Sequence, residues 1–176
     1  NIVTDGLVFY IDPAYKISYP RSGTTITDLK GTNNGTMSGA SGDNNTPQWE
    51  NTNNGVFDFD GTDDHIELSP SRLSIPKEAD PSPNPFTAFL WFKDGRQGGH
   101  TSFPHLIDNL DRSTQTGWHT TINRWGSNNG TVSFRFVDSL TNSAASFAIY
   151  STTENLDDGN WHMLTCQWDG STSTDS

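Results

Sequence analysis

The chain has a single cysteine, Cys166, so no disulfide can form within it and packing alone must hold the core. Positive charge is scarce: ten Lys and Arg face 21 Asp and Glu, for a net charge of −11 and a pI near 4.5. Such a surface repels phosphate backbones and anionic lipid, so nucleic acid and membrane insertion are not expected. No apolar run reaches the length of a membrane span, and no charged-then-apolar leader is read at the start. Asn1 is not an initiator Met, so the chain is expected to be a processed product or a piece of something longer. Helix-favouring Lys and Glu are rare, four of each, while Ser, Thr and Asn abound. That balance points to strands and turns.

Signatures of chemistry are also missing. There is no HExxH, GxSxG, phosphate-binding loop or CxxC, and the five histidines are not at ligand spacing on one element. Catalysis is therefore not expected.

What the sequence does have is aromatic bulk: ten Phe, six Trp and four Tyr. A length of 176 residues allows one substantial core built from these few large side chains. Short apolar alternations recur at 7–12 (LVFYID), 56–60, 65–68, 86–92, 118–125, 131–137, 146–150 and 161–168. Between them lie turn dipeptides such as Asp5-Gly6, Asn34-Gly35, Asp60-Gly61, Asn129-Gly130 and Asp158-Gly159. No window shows a helical period over ten residues. At least eight strands with this punctuation predict an all-β, antiparallel two-sheet sandwich or barrel. Residues 69–85 hold five prolines and are expected as a loop insertion, as is the polar stretch 94–117, within which 105–110 (HLIDNL) reads as an extra strand or a helical turn. Residues 1–176 are read as one domain.

Period two assigns faces. In 131–137, Val132, Phe134 and Phe136 point one way, Ser133 and Arg135 the other. In 161–168, Leu164, Cys166 and Trp168 share a face, which makes Cys166 a buried small hydrophobe. The stretch 86–92 is apolar on both sides: Phe86, Ala88, Leu90 and Phe92 against Phe89 and Trp91. A strand of this kind is central, with one side available for a ligand groove or a covering loop.

GLVFYID, SGTTITDLKGTNNGTM, FDFDGTDDHIEL, FTAFLWFK and NWHMLTCQWDG, in that order, resemble the concanavalin A-like lectin/glucanase superfamily. The nearest likeness is to laminin-G-like jelly-roll domains of bacteriophage and marine-virus structural proteins and of bacterial surface proteins. The resemblance implies a jelly-roll sandwich located on a virion, cell surface or other extracellular structure, acting by adhesion. In such domains further strands follow the WH…WDG strand. Only STSTDS follows Asp169-Gly170 here, so either the chain stops short of its last strands, or a neighbouring chain or a second copy is expected to complete the sheet edge.

FDFDGTDDHIEL, residues 57–68, carries Asp58, Asp60, Asp63 and Asp64. EF-hand spacing fails, because Asp63 stands where Gly is required and Ser69 where the closing acid belongs. A hairpin with Phe57 and Phe59 opposite Ile66 and Leu68 accounts for the segment, with Asp and Gly serving turn geometry. Asp60, Asp63 and Asp64 remain candidate ligands for a structural calcium, an ion the superfamily often carries. Hydrolases of this fold place alternating acids, Glu-x-Asp-x-Glu, on one strand; none of Glu50, Glu67, Glu78 and Glu154 sits in such a pattern. Glycoside hydrolysis is thus a remote alternative. Carbohydrate binding needs an aromatic face for the pyranose and planar polar groups for its hydroxyls. Trp118, His119, Asn123, Arg124 and Trp125 supply both types within one segment, and Trp49 is a further exposed-aromatic candidate. Against this stands packing: tryptophans can anchor cores, and His119 and His162 read as half-exposed strand-edge residues. The expected function is a non-catalytic module binding glycan, with a purely structural oligomeric virion or surface protein as the alternative.

Overall fold

The computed structural model of the chain describes residues 5–31, 33–39, 46–69, 85–95, 104–110, 117–123, 130–137, 146–151 and 155–169. The fold is all-β with antiparallel pairing throughout the described strands. The chain divides into two compact units, Asn1–Ser74 and Ile75–Ser176.

In the first unit, β1 (Thr25–Ile26), β2 (Asn34–Ser38) and β5 (His65–Ser69) form a three-stranded sheet with β2 in the middle. β3 (Gln48–Glu50) and β4 (Val56–Asp58) form a separate hairpin. Tyr19, Ile26 and Met37 are buried, with Ile11, Trp49, Phe57 and Ile66 packed on them. The hairpin expected across Asp60-Gly61 is not formed: β4 pairs with β3 and β5 pairs with β2. The turn therefore passes between two sheets, and Gly61, at φ +71°, makes the reversal. Asn34-Gly35 is likewise no turn but lies inside β2. There a Cβ on residue 35 would stand 2.9 Å from Ile66 Cγ2, so glycine serves close packing.

The expected strand at 7–12 is absent as well. Side chains capture its amides instead: Tyr10 N–H donates to Asp28 Oδ1 at 2.9 Å and Asp12 N–H to Ser18 Oγ at 3.0 Å. Pro13 follows at once and cannot extend a ladder.

The second unit is a sandwich of two sheets. β10 (Ser146–Tyr150), β9 (Thr131–Val137), β8 (Gly117–Asn123) and β7 (His105–Asp108) line up in that order. β6 (Phe86–Lys93) and β11 (Trp161–Trp168) form the facing two-stranded sheet. Trp118, Phe134, Phe136 and Cys166 are buried together, with Phe86, Ala88, Ile107, Leu164 and Trp168 packed on them. A neighbouring cluster joins Phe92, Ile122 and Val132 to Leu90, Leu106 and Leu156. These residues are the inward sets that period two assigned in β6, β9 and β11. Phe86 is the hub of the aromatic packing, with ring centroids 5.2 Å from Trp118 and 6.0 Å from Trp168. The extra strand read at 105–110 is β7. Gly130 opens β9 at φ +71°, where a Cβ would stand 2.5 Å from Asp157 Oδ1.

Candidate functional site

Alternation that buries one side of β6 and β11 must present the other. The outward residues of β6 are Thr87, Phe89, Trp91 and Lys93; those of β11 are Trp161, Met163, Thr165 and Gln167. They pair in register as Lys93 with Trp161, Trp91 with Met163, Phe89 with Thr165, and Thr87 with Gln167. Trp91 is 61% exposed, Phe89 and Met163 57% each, and Trp161 37%. Trp161 is the diagonal neighbour of Trp91, a placement that sets two residues about 7 to 8 Å apart, within reach of aromatic side chains. The result is an aromatic strip on two regularly paired strands, flanked by the polar ends of Lys93, Thr87, Thr165 and Gln167. Such a surface can stack on the apolar face of a pyranose while the flanking groups bond hydroxyls, or it can pack on another apolar surface.

The outward side of the four-stranded sheet is different in kind. β7 carries a bulge at Leu106, across which the register with β8 shifts. Leu106 and Ile107 both turn toward the core, and His105 and Asp108 therefore share the outward face. His105 Nδ1 lies 2.8 Å from Asp108 Oδ2, and its ring stacks on His119 at 4.7 Å. Thr121 Oγ1 and Ser133 Oγ are 2.8 Å apart and buried.

The structure parts Trp118 from His119, two of the residues expected in one carbohydrate site. Trp118 and His119 are adjacent in β8, so they lie on opposite faces. Trp118 is 1% exposed in the core, where it packs on Phe86 and Phe134, and offers no ligand face. His119 is on the polar face and only 8% exposed, because β8 is an interior strand rather than the edge expected. His162 is half-buried, its Nε2 2.9 Å from Asp158 Oδ1. Asn123 ends β8, but its side chain lies outside the described residues, as do Arg124 and Trp125 entirely. Trp49 belongs to the other unit and is half-buried, not exposed. Its Nε1–H donates to Pro13 O at 2.9 Å, and the Arg21 guanidinium sits 4.4 Å over its ring. That face is taken.

Asp60, Asp63 and Asp64 do come together, with carboxylate oxygens within 4.8 Å of one another. Their hydrogen bonds describe a self-closed turn. Thr62 N–H donates to Asp60 Oδ1 at 2.7 Å, Asp63 N–H to the same oxygen at 3.3 Å, and Asp60 N–H to Asp64 Oδ2 at 2.9 Å. The Thr62 amide is the chief reason that the Asp60 carboxyl titrates below its ordinary range. Asp64 Oδ1 is buried without a partner.

Asp28 escaped the sequence reading, because nothing in DLKGTNNG marks it as buried. It is 1% exposed and accepts the backbone N–H groups of Tyr10, Lys30 and Asn33. No family model matches the chain, and neither a curated protein nor a solved structure matches it.

Proposed function

We propose that this chain is a non-catalytic binding module of the laminin-G-like kind that recognises carbohydrate through the outward strip of β6 and β11. The carrying observation is Trp91, 61% exposed on a regular strand and continued by Phe89, Met163 and Trp161. Leaving that much aromatic surface in water forgoes burial worth about 25 cal/mol per Å², so contiguous exposure of this kind marks interaction surfaces. Lys93 and Gln167 supply hydrogen-bonding ends beside the rings, the second requirement of a sugar site. The resemblance to phage, marine-virus and bacterial surface domains supports a virion or cell-surface setting. Within this reading the Asp60–Asp64 turn is the place for a structural calcium. Excess chelator lowering the unfolding midpoint would support the ion, whereas an unchanged midpoint leaves a turn held by its own amides.

A glycan array is the direct test. Binding by the native chain that is lost in Trp91→Ala and Trp161→Ala supports the reading; a folded chain that binds no glycan overturns it. The second reading, a structural oligomer, is favoured by one observation: among the described residues β6 and β11 pair only with each other. Their outer edges offer N–H and C=O groups to a neighbouring chain. Sedimentation that shows oligomers dissolving in Trp91→Ser would support it.

A further inference from the structure

Three aromatic side chains on the outward face of β6 and β11 stand in successive cross-strand rows. Phe89 is opposite Thr165, Trp91 opposite Met163 in the next row, and Trp161 opposite Lys93 in the one after. Rows on one face recur every two residues, about 7 Å along strands that rise about 3.3 Å per residue. Phe89, Trp91 and Trp161 therefore form a line of stacking platforms about 13 Å long along the strands. All three are open to solvent, at 57%, 61% and 37% exposure. The pairing from Phe86 with Trp168 to Lys93 with Trp161 runs without a register shift, so no bulge breaks the line.

The dimensions of this face select its occupant. Two strands of eight residues each, about 26 Å long and about 10 Å across, present roughly 260 Å². A stable protein interface buries about 800 Å² on each partner, so this face alone is too small for a second copy or another folded protein. A single sugar ring is the other extreme: it covers one platform and leaves the rest in water. An extended chain several rings long uses them all. Charge narrows the choice further. Of the outward side chains of β6 and β11 only Lys93 is charged, at the end of the line, and the whole chain carries −11. A polyanion with a charge on every repeat would meet one cation and a repulsive surface.

We infer that the strip takes the interior of a linear, neutral polysaccharide, laid along β6 and β11 so that rings of one chain stack on Phe89, Trp91 and Trp161. Pyranoses linked through equatorial bonds fit, because they make an extended chain whose rings keep their C–H faces flat to the platforms. The Thr165 hydroxyl and the Lys93 ammonium stand in the same rows as partners for ring hydroxyls, and the Gln167 amide stands one row beyond Phe89. The inference rests on the carbohydrate reading of this strip. It adds the length and charge of the ligand and the mode of contact: the middle of a chain, with no chain end recognised.

The test is titration of the intact chain with cello-oligosaccharides of one to six rings, their methyl glycosides and the corresponding oligoglucuronides, read by the indole N–H resonances of Trp91 and Trp161. Affinity should climb about tenfold or more from the shortest oligomer to the longest, as further platforms are covered. Blocking the reducing end as the methyl glycoside should change nothing, and the oligoglucuronides should bind about tenfold more weakly. Trp161→Ala, which removes an end platform, should cost the hexasaccharide about fivefold and flatten the gain with length. Affinity as high for one ring as for six, loss of binding on blocking the reducing end, or oligoglucuronides binding as tightly as the neutral chains overturns the inference and leaves a sugar-binding strip in place. Failure of every neutral oligomer to bind overturns it too, and a glycan array then decides the broader reading. Binding of another glycan that is lost in Trp91→Ala retains that reading, whereas a blank array ends both. The length series is read on the native chain, so a variant that fails to fold does not remove the test.

Discussion

The Thr120 hydroxyl holds the backbone of Ile107 from both sides: Ile107 N–H donates to Oγ1 at 3.2 Å, and Oγ1–H donates to Ile107 O at 3.4 Å. Ile107 follows the bulge in β7, where the regular ladder is interrupted and its backbone groups need other partners. Thr120 is fully buried at 0% exposure, on the core side of β8. One hydroxyl thus stabilises the irregularity that brings His105 and Asp108 to a common face. Thr120→Val keeps the shape and removes both bonds, and should cost about 1–3 kcal/mol in urea unfolding. The His105–Asp108 contact should loosen with it, visible as changed chemical shifts of the His105 ring by NMR.

Replacing Trp91 by Ala should separate binding from stability. The side chain is 61% exposed and packs on no buried cluster, so the unfolding free energy should move by no more than about 0.5 kcal/mol. Leu90→Ala, its inward neighbour against Phe92 and Ile122, should cost about 2–5 kcal/mol. A large stability loss in Trp91→Ala would show that the strip is buried in the native chain.

Asp28 should be among the most sensitive polar positions of the first unit. Asp28→Ala leaves the amides of Tyr10, Lys30 and Asn33 without their acceptor in a buried site. The expected cost is about 3 kcal/mol or more. Amide exchange at Tyr10 and Asn33 should accelerate in the same variant. Protection at those amides that is unchanged would refute the role.

Asp158 gives a pH dependence with a definite sign. The Asn160 side chain, then His162, hold its carboxyl down to about 2 from an ordinary 3.8. A folded value below the unfolded one means that the folded state binds fewer protons. Its contribution is therefore complete above about pH 4 and is lost as pH falls toward 2. Melting temperature followed from pH 5 to 2 should drop less steeply in Asp158→Asn than in the native chain.

Cys166 should be inert in the folded chain. It is 5% exposed, and burial pushes its thiol up to about 11. At pH 8 a maleimide should label it only after denaturant is added. The stability linked to the protonated thiol is present below the unfolded value near 9 and fades as pH rises toward 11. Rapid labelling of the native chain would place the residue outside the core.

Where a strand is regular, its sequence told which side faces inward. The sets Val132, Phe134 and Phe136, or Leu164, Cys166 and Trp168, need only a period of two, and the same rule put Phe89 and Trp91 on one face of 86–92; the central position expected for that strand did not follow, since among the described residues it pairs only with β11. Trp118 and His119 obey that rule too. Their apparent grouping came from adjacency in sequence, which in a strand means opposite faces. The polar face that carries Arg135 was not legible, because it needs a bulge that breaks the period in β7 and the register of four strands at once.

Composition and alternation by themselves determined that this chain folds as antiparallel β structure around aromatic side chains, because those are properties of each segment alone. Which segment pairs with which was left to the tertiary structure. FDFDG and HIEL carry matching patterns and yet join different sheets, since a strand's edge bonds accept any backbone and only the packing of apolar faces selects the partner. The same selection buried Asp28 and half-buried Arg135, a change that no local pattern encodes.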